Sequence, residues 1–304
     1  MQNSRKSRKH NRDFSQMMTS MIFLTSVLVF AAGVGIFIYP ALSNYLAEKD
    51  QKKIITEYAQ DVEKMNDSEM ERQWALAKRY NETLLGDPVH DPFVPGTGYA
   101  LPDNYKEVLN VNGDGVMGHI KIPKIEVDLP IYHGTGEEEL EKGAGHVDVT
   151  ALPIGGEGIH PILSAHRGLP SAELFTRLDE MKRGDKFYIY VLDKVLAYEV
   201  DQVKVIKPEE LESLAAIEGK DYVTLLTCTP YGKNTHRLLV RGCRIPYIEG
   251  MEQESSAPSD EEMQANKTWI KEYLLAIVVG LLILLFIVII IVSRRKKRKT
   301  RKRK

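Results

Sequence analysis

The chain has 304 residues, with 41 Lys and Arg against 42 Asp and Glu and only two cysteines. That length suits one globular domain plus appendages, and two thiols exclude a disulfide-stapled scaffold. The near-zero total charge conceals a segregation. Five Lys/Arg and one acid precede the first apolar run, ten Lys/Arg and no acid follow the second, and the segment between carries a net charge of −15.

In chain order, residues 1–16 read as a basic cytoplasmic N-terminus. Met17–Tyr39 is an uncharged run of 23 residues, long enough to cross a hydrocarbon core of about 30 Å as a helix. It exceeds the roughly 7–15 residues usual for a signal-peptide core, so residues 17–39 read as a retained anchor or signal anchor. Residues 40–98 read as a helical region ending in a loop. Ser68 and Glu71 make a capping-box pattern, Met70, Trp74, Ala77 and Leu84 recur on one face, and the Pro/Gly/Asp-rich stretch Gly86–Asp103 ends the helix.

From Gly115 to Tyr247 the pattern changes to short apolar, β-branched runs separated by turns. Strands are expected at His119–Ile125, Val127–His133, Ile159–Ala165, Lys186–Val191, Val195–Val205, Tyr222–Thr227 and Arg237–Ile245. Brief helices are expected near Ser171–Met181 and Glu209–Ala215. Many strands joined by turns predict a closed or nearly closed barrel over residues 99–248. Residues 249–268 are polar and read as a solvated stalk. Residues 269–293 contain the second span, Tyr273–Val292, and 294–304 form a basic cytoplasmic tail. The positive-inside tendency puts both ends in the cytoplasm and residues 41–272 outside. A basic run directly after a span reads as an orientation signal and anionic-lipid contact, not as a nucleic-acid arm.

The chemistry concentrates near one thiol. Thr224–Thr227 is an apolar and β-branched run ending at Cys228, a turn follows, and Arg237 opens the next strand. A thiol at a strand mouth facing a fixed cation is placed to exist as thiolate. If Pro230–Asn234 closes a hairpin, Cys228 lies opposite Arg237 and Cys243 opposite Tyr222. The two sulfurs are then about 20 Å apart, beyond disulfide reach, and both stay free. A cysteine nucleophile also needs an acid/base partner. Of the eight histidines, His10 is cytoplasmic and His236, beside Arg237, points to the opposite face. His166 ends an apolar run as Cys228 does and is preferred to His146. Glu137–Glu141 and Asp260–Glu262 lack the spacing and glycine of a calcium loop, so no metal site and no cofactor are expected. No phosphate-cradling glycine loop or aromatic-laced basic groove is present, so nucleic acid is not an expected partner.

Thr224–Leu225–Leu226–Thr227–Cys228, with Arg237 nine positions on, resembles the TLxTC signature of sortases. Gly118–Ile125 followed by Leu129–Thr135 is similar to the opening strands of their barrel, and Gly143–His146 with Leu163–Gly168 to the segment carrying their histidine. The resemblance covers about residues 85–247. It implies a mostly β fold: an eight-stranded sortase-type barrel with short helical insertions, N-terminal helices and a lid loop, here joined to two transmembrane helices. It also implies a cysteine transpeptidase, with Cys228 as nucleophile, His166 as general acid/base and Arg237 stabilising the oxyanion. The substrate would be an LPxTG-like sorting signal cut between Thr and Gly. The second span and Asp91–Pro92–Phe93, similar to the lid motif of class C sortases, imply the pilin-polymerising group, with pilin subunits as partners. The alternatives are a housekeeping sortase using a cell-wall acceptor and a cysteine peptidase using water. A non-enzymatic wall-anchored protein would need an LPxTG-like pentapeptide before the second span, and residues 249–272 contain none.

Overall fold

The computed structural model describes residues 2–84, 93, 104–214, 216–255 and 280. Helix α1, Gln2–Glu63, runs unbroken through the first apolar run and on into the domain, with Pro40 inside it. Beyond Pro40 an apolar stripe at helical spacing takes over: Ala47, Ile54, Tyr58 and Val62, with Gln51 among them, pack against the barrel. Helix α2, Asp67–Thr83, buries Gln73, Ala77 and Tyr80. Its cap is Asn66, whose side chain accepts the Glu69 N–H at 2.9 Å, not the expected Ser68. Asn66 and Glu69 offer the same cap spacing two residues earlier, and an asparagine cap starts the helix there.

Eight strands follow: β1 Val116–Ile122, β2 Val127–His133, β3 Ala144–His146, β4 Ile162–Ser164, β5 Lys186–Val191, β6 Lys194–Ile206, β7 Tyr222–Thr229 and β8 His236–Ile245. They close into a barrel in the order β1-β2-β3-β4-β7-β8-β6-β5. Two neighbouring pairs are parallel, β2 with β3 and β4 with β7. Ile120, Ile131, Leu163, Ile189, Leu225 and Val240 belong to the main core cluster inside. Gly242 on β8 is required by packing, because a Cβ there would stand 2.5 Å from the Phe187 ring.

Several expected elements differ for local reasons. β1 stops at Ile122 because Pro123 has no N–H to give the ladder, and Pro123–Ile125 is a 3₁₀ turn. Pro161 likewise confines β4 to three residues and leaves Ile159 an isolated bridge to Asp221. β3 was not expected: two glycines flank its alanine, and pairing on both sides makes it a strand. The expected helix near Ser171–Met181 is reduced to a 3₁₀ turn at Leu178–Glu180, and Pro208–Leu214 is also 3₁₀. The acidic run at 137–141 makes α3, Glu137–Lys142, anchored by buried Leu140. Within the segment read as a stalk, α4, Met251–Ser255, is held on the barrel where Glu252 accepts from Lys121 at 3.2 Å and Tyr247 at 3.0 Å. The rest of the stalk and, apart from the helical Gly280, the second apolar run lie outside the described residues.

Candidate active site

The two sheet registers that bracket β7 bring the candidate residues to one end of the barrel. In the β7–β8 hairpin Cys228 pairs directly with Arg237, and Tyr222 with Cys243. β4 runs parallel to β7 with Ser164 opposite Leu226. The pairing continues past β4: Ala165 N–H donates to Leu226 O at 3.2 Å, and the Thr227 hydroxyl donates to Ala165 O at 2.7 Å. His166 is the next residue, level with Cys228.

Side-chain alternation then sets the face. Val223, Leu225, Leu238 and Val240 point into the main core. Leu226 and Leu239, at the alternate positions, join a second cluster outside the barrel with Ile162, Ile206, Val147 and Leu214. Cys228 and Arg237 share that outer face, yet are only 7% and 5% exposed. Phe93 packs on the same outer cluster and against Arg237. Its ring centroid lies 5.7 Å from that of His166 and 5.2 Å from Arg237 Cζ, so one ring touches both. Asp91 and Pro92 of the expected lid lie outside the described residues.

The surrounding hydrogen bonds hold these groups in place. Arg237 Nη1 donates to Asn234 O at 3.0 Å and His236 O at 3.1 Å, aiming the guanidinium back along its own hairpin. Burial pushes the His166 pKa below its usual value, opposed by the more distant carboxylates of Glu141 and Glu137. The imidazole is therefore predominantly neutral near pH 7. His166 O accepts the Phe175 N–H at 3.1 Å.

Arg167 was missed in the sequence. Its Nη1 donates to Thr229 Oγ1 at 3.0 Å, its Nε to Thr176 O at 3.2 Å, and its Nη2 pairs with Asp179. It ties the His166 loop to the last residue of β7. Its position directly after His166 was the available signal, but an arginine in a loop reads as solvated until its burial is seen.

Two of the other histidines among the described residues are engaged elsewhere. His146 on β3 is fully buried between the Tyr105 hydroxyl at Nδ1, 2.9 Å, and Ala151 O at Nε2, 2.8 Å, and burial holds it at a pKa of about 4. His236 meets the Thr235 hydroxyl at 2.9 Å. Neither Cys228 nor Cys243 is in a disulfide, and the two lie at opposite ends of the hairpin.

The comparisons fit this architecture. A family model, the sortase domain, matches residues 120–245. Sortase A of Bacillus anthracis is 28% identical over 221 residues, 72% of this chain and 92% of that protein. Sortase C of Streptococcus pneumoniae superposes with a TM-score of 0.59 at 47% identity, covering 64% of this chain and 97% of the other. Sortase C1 of Streptococcus agalactiae gives 0.58 at 47%, covering 66% and 96%. Fold and comparisons together define an enzyme class, the cysteine transpeptidases. The chain belongs to the sortase family, and its solved relatives group it with the class C sortases.

Proposed function

We propose that this enzyme is a membrane-anchored, pilin-polymerising transpeptidase. With its proton on His166, the Cys228 thiolate attacks the Thr–Gly carbonyl of an LPxTG-like sorting signal. Arg237 balances the charge on the tetrahedral oxygen. The His166 imidazolium then protonates the departing glycine amine, leaving a thioacyl enzyme and a neutral imidazole. A pilin lysine amine attacks the thioester, His166 takes up its proton, and the thiolate leaves as the new isopeptide forms. Asp91–Pro92–Phe93 is the lid. Met17–Tyr39 and Tyr273–Val292 are the two spans, with residues 41–272 outside and both termini cytoplasmic.

The observation that carries this reading is the alignment of Cys228 and Arg237 across β7–β8 with His166 at the end of β4, and one Phe93 ring against both His166 and Arg237. The pilin assignment is supported by the Streptococcus pneumoniae relative, a sortase described for its pilin substrate specificity. The anchor is supported by the apolar, fully unburied window within Ser20–Glu63 of α1, with a mean hydropathy of 2.5. The test is to incubate the full-length enzyme with a pilin carrying an LPxTG-like signal. Covalent ladders that depend on Cys228 and on a pilin lysine are expected. Release of the cleaved signal with no amide product would instead assign a peptidase, and use of a peptidoglycan amine alone a housekeeping sortase.

A further inference from the structure

The path of α1 along the barrel fixes which end of the domain leads to its apolar run. At the rim away from Cys228, the Tyr58 hydroxyl donates to Met117 O at 3.1 Å and accepts the Leu192 N–H at 2.9 Å. Two turns back, Gln51 Nε2 donates to Lys142 O at 3.1 Å. At the Cys228 rim, Asn44 Oδ1 accepts the Glu173 N–H at 2.8 Å, and the Ser43 hydroxyl lies 3.0 Å from Pro170 O and 3.1 Å from Pro40 O. Traced backwards along the chain, the three contact points run from the distal rim to the catalytic one, and the apolar run lies beyond the last.

The loop that α1 grips is the loop of His166. Ser43 is four residues past Tyr39, the end of the apolar run, about 6 Å along a helix axis. Pro170 is two residues, at most about 7 Å of chain, from Gly168. The Tyr231 ring of the β7–β8 turn lies over Gly168, close enough that a Cβ there would be 2.7 Å from Cε2. Tyr231 is nonetheless 62% exposed, as are Tyr39 at 56% and Tyr45 at 64% on α1. Leu42 and Leu46, exposed at 55% and 50%, continue the apolar surface past Pro40. Tyrosines beside a span are the residues that settle at headgroup depth.

We propose that the catalytic rim, with Tyr231 at its edge, rests on the headgroup layer of the outer leaflet, so that the active site opens beside the bilayer. The partner of this surface is the lipid itself, because the rim continues the surface of the apolar helix with no intervening linker. A sorting signal would then be taken while its own chain is still close to the membrane. The inference rests on α1 being a membrane anchor, as proposed above.

Photocrosslinking on the full-length enzyme in phosphatidylglycerol/phosphatidylcholine vesicles tests it. Benzoylphenylalanine is placed at Tyr231, at Ile36 in the apolar run, or at Glu157, which is exposed beside the β7 start and so at the distal rim. The expected result is lipid adducts, identified by mass, at positions 36 and 231, with position 231 at least tenfold above 157. Adducts at 36 with position 231 no higher than 157, or with position 231 adducts on protein alone, would overturn the proposal while leaving the anchor intact. No lipid adduct at 36 would overturn the anchor reading and this inference with it.

Discussion

Replacing Phe93 by alanine tests whether its ring, which lies on Arg237 and His166, also shields the thiol beside them. The ring makes a cation–π contact with Arg237, 5.2 Å from centroid to Cζ, and stacks obliquely on His166 at 5.7 Å. A cation–π contact at a site as buried as Arg237 contributes up to about 2 kcal/mol, and an aromatic pair about 0.5–1.5 kcal/mol. Since one ring makes both contacts, the terms are not additive, and a combined loss of about 1.5–3 kcal/mol is expected. At about 1.4 kcal/mol per factor of ten, the open fraction of the site rises about 10- to 100-fold. The assay is alkylation by a small maleimide, quantified per peptide, with Cys243 as the internal reference. Phe93→Ala should speed Cys228 modification by that factor and leave Cys243 unchanged. The same variant removes part of the burial that depresses His166, so its imidazole titration should move upward by NMR. Equal Cys228 rates in parent and variant would refute the idea that Phe93 closes the site.

Arg167→Ala should lower kcat about 10- to 100-fold with KM little changed, because it loosens the His166 loop without touching the reacting atoms; Arg167→Lys, with charge but no fork, should be intermediate. An unchanged kcat would remove the positioning role. His146 is held at about 4 by burial, whereas the unfolded chain takes up that proton below about 6.5. Stability should therefore fall as pH drops through that window, by on the order of 3 kcal/mol in full. Chemical denaturation at pH 7 and pH 5 should show the loss, and His146→Gln should flatten the slope; a parallel slope in the variant would contradict it. Gly242→Ala forces a methyl against Phe187 and Tyr198 and should cost about 1–3 kcal/mol in thermal or denaturant unfolding. A neutral effect would mean the two rings can part.

The hairpin and its pairing of Cys228 with Arg237 were readable because they are local. The Pro230–Asn234 turn sets the pairing of Cys228 with Arg237 by counting outward, and period-two alternation assigns the faces. The neighbour on the other side was harder. β4 lies far from β7 in the chain, and its parallel register depends on the barrel closing. His166 was singled out by its strand-end position, whereas His146 differs only in a burial and a Tyr105 contact that no local pattern reveals. β3 escaped notice because its three residues have little strand propensity and owe their conformation to partners on both sides. Arg167 and the grip of Ser43 and Asn44 on the His166 loop are likewise long-range, joining positions with no sequence relation. Where a proline interrupts, as at Pro123 and Pro161, the pattern overran the true strand because apolar alternation continues past the residue that cannot pair.

The claim on which the enzymology depends is that the sulfur of Cys228 carries the acyl group. Brief reaction of the enzyme with an LPxTG-like peptide and no amine acceptor, acid quenching, and peptide mapping by mass spectrometry locates that group directly. The expected result is the mass of the peptide up to its threonine, less water, on the Cys228 fragment, removable by hydroxylamine and absent in Cys228→Ala. An acyl group on Cys243, or turnover surviving in Cys228→Ala, would contradict the account.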